Sequence, residues 1–200
     1  ERFLNVYGPT ETATFAGWHA MPADVATMRR IPVAGPPGGA MHGTVLHVLD
    51  RHMRPAAIGA PGELFIGGDA LGRGYLGQPG LTAERFLPDP HGPPGARIYR
   101  SGDRARLLPD GTVDLLGRID QQVKIRGFRV EPGEVQAALR ALSGVTAAHV
   151  AARTGADGTV GLFGWVVGID AAVALDVLRA VLPAAMIPAR LWRVPLLPVT

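Results

Sequence analysis

The stretch 117-GRIDQQVKIRGFRVEPGEVQAALRALSG-144 decides how this chain is organised. Over 123-VKIRGFRV-130 apolar and charged side chains alternate up to Gly127, the period-two pattern of a half-solvated ribbon. Pro132 then stands where a helix can open, because the N–H it lacks would have had no partner in the first turn. Val135, Leu139 and Leu142 fall four and three apart, on one helix face, and Gly144 supplies a stop. Upstream the texture is different, with short apolar runs cut by turns. A boundary is therefore expected near Asp120, separating 1–119 from 120–200.

Beyond the helix, the sequence predicts a strand near 145–152 and another at 159–167. A helix over 171–182 follows, with Leu175, Leu178 and Leu182 on one side, then a short strand from Leu191. Strand–helix–strand–strand–helix–strand is the order of a small α+β domain with helices covering one sheet face. Upstream, 44-TVLHVLD-50, 63-ELFIG-67 and 97-RIYRS-101 are strand-sized, and 81-LTAERFL-87 is a short helix candidate. The segment 104-RARLLPDGTVDLLGR-118 predicts a hairpin about Asp110-Gly111. The part before Asp120 is thus β-rich, and the fold class is α+β.

The 200 residues suffice for one large domain or two small ones, and the 47% apolar share provides a core. The 27 glycines and 18 prolines are about twice the usual share, which predicts short elements and tight turns. Cysteine is absent, which excludes thiol catalysis, disulfide stapling and thiolate-bound metal. No signal-peptide pattern opens the chain, and its longest apolar candidate, 159-TVGLFGWVVG-168, is strand-sized, so no membrane role is expected. A cytoplasmic protein is expected. The net charge is only +3, with Lys124 the sole lysine and no basic block interleaved with aromatics, so nucleic acid is not the expected partner.

His42, His47 and His52 stand five apart, with no carboxylate recurring at ligand spacing, so a zinc site is not expected. The glycine-rich 35-GPPGGAMHG-43 lacks the Lys-Ser/Thr end of a triphosphate-binding loop and is expected to be a wide turn. Three polar clusters remain, joined by glycine turns: Tyr7, Thr10 and Glu11 within 5-NVYGPTE-11, then 99-YRSGD-103, then 117-GRIDQQVKIRG-127. Gly8 and Pro9 mark the first as a connection. In the second, a Ser-Gly turn is expected to expose the Asp103 carboxylate. An aromatic ring can stack on a planar base. One carboxylate can take both hydroxyls of a ribose, another can hold Mg²⁺ beside phosphate, and a guanidinium can bridge charged oxygens. Each cluster also has a plain account: Asp103 as a turn cap, Glu11 as a solvated acid, the basic residues as the wet face of a hairpin.

In order and spacing, the clusters resemble the amino-acid adenylation domains of nonribosomal peptide synthetases, within the adenylate-forming superfamily. The matching stretches are 5-NVYGPTE-11, 62-GELFIGGDALGRGYLGQPGLTAERF-86, 99-YRSGD-103, 117-GRIDQQVKIRGFRVEPGEVQAAL-139 and 182-LPAAMIP-188. The resemblance implies that 1–119 is the C-terminal portion of a large subdomain and 120–200 a small mobile one. It also implies an ATP-dependent ligase: a substrate carboxylate attacks the α-phosphate of ATP, and the aminoacyl group then passes to the phosphopantetheine thiol of a carrier domain.

By that resemblance Tyr7 stacks on adenine, with Asn5 and Gly8 beside the nucleotide. Thr10 touches the α-phosphate and Glu11 holds Mg²⁺. Asp103 takes the ribose hydroxyls, and Arg118 reaches the ribose and phosphate side. Val6, Thr14 and Phe15 line the amino-acid pocket, Asp120 is the hinge, and Lys124 and Gly127 lie on the ribbon that serves the thioester step. Ala83 lies near the surface used by small MbtH-like helper proteins. Ser101, Pro132 and Ala185 stand where the family usually carries Thr, Leu and Tyr. The family's phosphate loop and amine-binding aspartate are expected before residue 1, and its final Gly-Lys after Thr200, so this stretch alone is expected to be inactive. Two other readings remain: a relative that activates an aryl or fatty acid for coenzyme A, and a non-catalytic docking module.

Overall fold

The computed structural model describes residues 3–24, 28, 31–36, 38–155 and 158–198. The chain divides into two compact units, Glu1–Asp120 and Gln121–Thr200. Both are mixed α+β, with short strands predominating in the first. Among the described residues no helix is long and apolar enough to cross a membrane.

The first unit holds two antiparallel sheets. Strands β1 (Phe3–Tyr7), β2 (Gly17–Met21) and β3 (Gly38–Ala40) form one, in that order. The second is built on β4 (Thr44–Leu49), β5 (Gly62–Gly68), β6 (Phe86–Pro88), β7 (Arg97–Leu107) and β8 (Val113–Arg118), with helix α1 (Pro79–Arg85) leading into β6. Its spine is the 11-residue β7. β5 pairs along one edge of β7; on the other, β6 takes Arg97–Tyr99 and β8 takes Asp103–Leu107. Leu64 and Ile66 of β5 point to the core that holds Phe86, Tyr99, Ala105 and Val113. Their neighbours Phe65 and Ile98 point the other way, against Leu49, as strand alternation requires.

Three sequence expectations change here. The stretch 5-NVYGPTE-11 is half strand, since Asn5, Val6 and Tyr7 lie on β1 and only Gly8-Pro9 connects to a 3-10 turn at Thr10–Thr12. Residues 97–101 and 104–107, expected as separate pieces, form one strand running through Ser101-Gly102. The glycine-rich turn contains β3, paired to β2 from Gly17 to His19. Glycine hides strands of this kind, having no side chain to display an alternation.

The second unit opens with β9 (Val123–Ile125) and β10 (Phe128–Val130), joined by Arg126 and Gly127. Both connecting residues have positive φ, 51° and 84°, the geometry of the two-residue hairpin turn that matches strand twist. Helix α2 (Pro132–Arg140), strands β11 (Ala147–Thr154) and β12 (Val160–Val167), helix α3 (Ala171–Val181) and strand β13 (Arg190–Arg193) follow. β11 pairs antiparallel and β13 parallel to β12. Val135 and Leu139 of α2, Ala174 and Leu178 of α3, and Ala148, Val150, Leu162 and Val166 of the sheet close one core. α2 ends four residues before Gly144, and Leu142, Leu175 and Leu182 are only partly covered. Asp170 caps α3 by accepting from the backbone N–H groups of Ala172 and Val173 at 2.8 and 3.4 Å. On the other sheet face the rings of His149, Trp165, Trp192 and Phe163 stack in a row, with centroids 5.5–6.0 Å apart.

Candidate functional site

The long strand β7 carries an irregularity at its centre, and polar groups gather there. Gly102 has φ +76°, and a Cβ at that position would lie 2.7 Å from both Arg118 Nη2 and Asp120 Oδ2. A glycine therefore lets a guanidinium and a carboxylate close directly over the backbone. The hydroxyl of the buried Ser101 donates to the Leu64 carbonyl at 2.6 Å and accepts from the Asp103 N–H at 3.0 Å. Asp103 thus sits within a strand that continues through Gly102, with its side chain only 13% exposed. The expected Ser-Gly turn exposing this carboxylate is replaced by a backbone irregularity that aims it at other side chains.

Arg118, opposite Asp103 on β8, joins two carboxylates. Its Nη1 donates to Asp103 Oδ1 at 2.9 Å. Its Nε and Nη2 grip Asp120 Oδ1 and Oδ2 at 2.6 Å each, and Nη2 also reaches the Ser101 carbonyl at 3.1 Å. This bidentate fork is the strongest geometry available to such a pair. Arg85, at the end of α1, adds a longer contact of 4.0 Å to Asp120 Oδ2. A cavity of about 420 Å³ lies beside this cluster, lined by Glu63, Glu84, Arg85, Arg100, Ile119 and Asp120 among others.

The Tyr7 hydroxyl donates to Asp103 Oδ2. Burial, followed by the negative charge of Asp103, pushes the phenol far above its ordinary pKa, so Tyr7 remains a donor at any physiological pH. Behind the ring the loop is tightly closed. Ala16 N donates to the Tyr7 carbonyl at 2.7 Å, and a Cβ on Gly8 would meet the Thr14 carbonyl at 2.4 Å. Ala13 and Thr14 take positive φ, 55° and 79°, to complete the turn.

Tyr7, Asp103, Arg118 and Asp120 thus form one hydrogen-bonded cluster inside the first unit. Glu11 belongs to a different cluster: its Oε1 accepts from the Tyr75 hydroxyl at 2.7 Å, and that hydroxyl lies 3.5 Å from the Tyr99 hydroxyl. Thr10 is exposed on the same 3-10 turn as Glu11. The Asn5 side chain donates to the Pro32 carbonyl at 2.6 Å. Val6, Thr14 and Phe15 are exposed side by side with these groups in sequence. Lys124, exposed on β9, and Gly127, in the turn after it, lie in the second unit.

Sequence reasoning missed Tyr75, Arg85 and the structural role of Ser101. Tyr75 lies in 72-GRGYLGQP-79, where three glycines signalled a loop and nothing signalled a partner for its ring. Among the described residues no group of three or more His, Cys, Asp or Glu could hold a metal ion by itself. Glu11 suits the manner in which Mg²⁺ takes one or two carboxylates and completes its shell with waters and phosphate oxygens.

Residues 1–76 match the family described as AMP-binding enzyme. The chain is 46% identical over 192 residues to a probable non-canonical nonribosomal peptide synthetase, CymA, of Salinispora arenicola, covering 94% of this chain and 2% of that protein. It is 41% identical over 199 residues to tyrocidine synthase 3 of Brevibacillus parabrevis, covering 98% of this chain and 3% of the relative. Its fold superposes on holo-PA1221, a nonribosomal peptide synthetase protein containing adenylation and PCP domains, with a TM-score of 0.85 at 30% identity. That superposition covers 100% of this chain and 34% of the other. The chain therefore spans a small fraction of the proteins it matches, and within that span the likeness runs through both units. It is an adenylation-domain-like module of the AMP-binding and nonribosomal peptide synthetase superfamily.

Proposed function

We propose that this module forms part of an ATP-dependent amino-acid adenylation site, in which a substrate carboxylate attacks the α-phosphate of ATP to give an aminoacyl adenylate and pyrophosphate. The aminoacyl group then passes to the phosphopantetheine thiol of a carrier domain. The observation that carries this reading is the single cluster of Tyr7, Asp103 and Arg118. The Tyr7 hydroxyl and the Arg118 guanidinium each donate to the largely covered Asp103 carboxylate, which gathers an aromatic ring, an acid and a cation, the groups that suit a nucleotide.

In this reading Tyr7 presents its ring to adenine while its hydroxyl stays on Asp103. Asp103 accepts the ribose hydroxyls, with Arg118 holding its other oxygen and facing the phosphate side. Asn5 and Gly8 shape the same loop, and Thr10 donates to the α-phosphate. Glu11 holds Mg²⁺, which when bound neutralises phosphate charge. Val6, Thr14 and Phe15 contribute to the amino-acid pocket. Residues 1–119 are the C-terminal portion of the large subdomain and 120–200 the small one. Asp120 is the hinge, and Lys124 and Gly127 serve the thioester step. The presence of adenylation and PCP domains together in PA1221 supports a carrier-domain partner. Ala83, exposed on α1, is the proposed contact for an MbtH-like helper.

ATP–pyrophosphate exchange by the full-length protein, scanned across amino acids and aryl acids, tests the proposal. Exchange with an amino acid is expected. Exchange with aryl or fatty acids only would assign the chain to the coenzyme A-dependent relatives. Exchange with none, together with no ATP binding, would leave a docking role.

A further inference from the structure

We propose that Tyr75 is a positioning residue for the Glu11 carboxylate, and through it for the divalent cation; this rests on the assignment of Glu11 above. Glu11 lies on a short 3-10 turn with no regular element to fix its side chain. An unrestrained glutamate samples several rotamers, whereas a cation ligand must be held close to its productive geometry. One restraint comes from a residue 64 positions away. Tyr75 donates to Glu11 Oε1 at 2.7 Å, within the range of a charge-assisted bond.

Tyr75 is itself held at several points. Its backbone N–H donates to the Thr82 hydroxyl at 2.9 Å. A Cβ on the preceding Gly74 would lie 2.4 Å from Thr82 Cγ2, so glycine makes that approach possible. The ring meets Phe86 edge-on, with centroids 5.7 Å apart and planes at 68°, and Phe86 in turn packs on the fully buried Tyr99. One turn of chain away, Gly72 N donates to the Glu11 backbone carbonyl at 2.8 Å, so the two segments are tied through main chain as well as side chain. A tyrosine has only two side-chain torsions, and here the packing fixes them. The carboxylate thus inherits the rigidity of an aromatic cluster in the core.

Groups that orient a metal ligand typically alter metal affinity by about 10–100-fold when removed. In the full-length protein, Tyr75→Phe deletes one hydroxyl and keeps the ring. Mn²⁺ binding, followed by electron paramagnetic resonance with a non-hydrolysable ATP analogue present, is expected to weaken by about tenfold or more. Affinity for the analogue without metal is expected to stay within about twofold, an outcome that general loss of structure would not give. Glu11→Gln serves as the control and is expected to weaken Mn²⁺ binding at least as much. If Glu11→Gln weakens the metal and Tyr75→Phe does not, the positioning role is overturned while the Glu11 assignment stands. If neither variant changes Mn²⁺ affinity, Glu11 is not the cation's ligand and the inference falls with it. Parallel loss of metal-free analogue binding in Tyr75→Phe would make Tyr75 a structural residue, which also overturns it.

Discussion

The two units solve the problem of order in opposite ways. In Gln121–Thr200 the helices and sheet meet through aliphatic side chains, with Val135, Leu139, Leu162, Val166 and Leu178 almost wholly buried. The first unit has a core as well, but its chemically interesting region is fixed by polar links between residues far apart in sequence: Tyr7 to Asp103, Arg118 to Asp103 and Asp120, Tyr75 to Glu11. Apolar packing is non-directional and tolerates repacking, whereas hydrogen-bonded clusters fix atoms to a geometry. The second unit is ordered by volume; the site region of the first is ordered by direction.

That contrast can be broken by experiment. The largest effect is expected from Leu139→Ala, which removes a fully buried side chain from the second core and should cost about 2–5 kcal/mol. Hydrogen exchange should then show β11 and β12 amides losing protection while those of β5 and β7 keep theirs. Equal loss in both would mean that the units do not unfold separately.

Asp103→Ala should do the converse, changing ligand binding more than folding. Each hydrogen bond to a charged acceptor is worth about 1.5–3 kcal/mol, so ATP affinity of the full-length protein should fall at least about tenfold. Calorimetric titration reads this directly, and an unchanged dissociation constant would remove Asp103 from the ribose. The smallest effect is expected from Asp170→Ala. It deletes the α3 cap and should cost about 1 kcal/mol in urea unfolding. A much larger loss would show that a polar contact organises the second unit too.

The same contrast explains what could be read from the sequence. The second unit was legible because a helix period writes itself into apolar spacing, as at Val135 and Leu139, and because 159–167 is an apolar run of strand length. In the first unit β2, β3 and β6 escaped notice. Each is five residues or fewer, and β3 contains glycine at two of its three positions. The polar residues could be picked out by type, and a family resemblance grouped them, yet spacing alone could not reveal which touch. Glu11 and Tyr75 illustrate this. No local pattern links two residues 64 positions apart, and the bond exists only because Gly72 and Gly74 bring one loop against another.

One guanidinium holding two acids has a consequence for anyone measuring either. Arg118 divides a single positive charge between Asp103 and Asp120, so the energy lost on deleting one acid depends on whether its rival is present. Single substitutions at 103 and 120 would each be credited with part of the same attraction, and their sum would disagree with the double variant. The bookkeeping unit at this spot is the trio, and a thermodynamic cycle around all three members is the smallest measurement that apportions it.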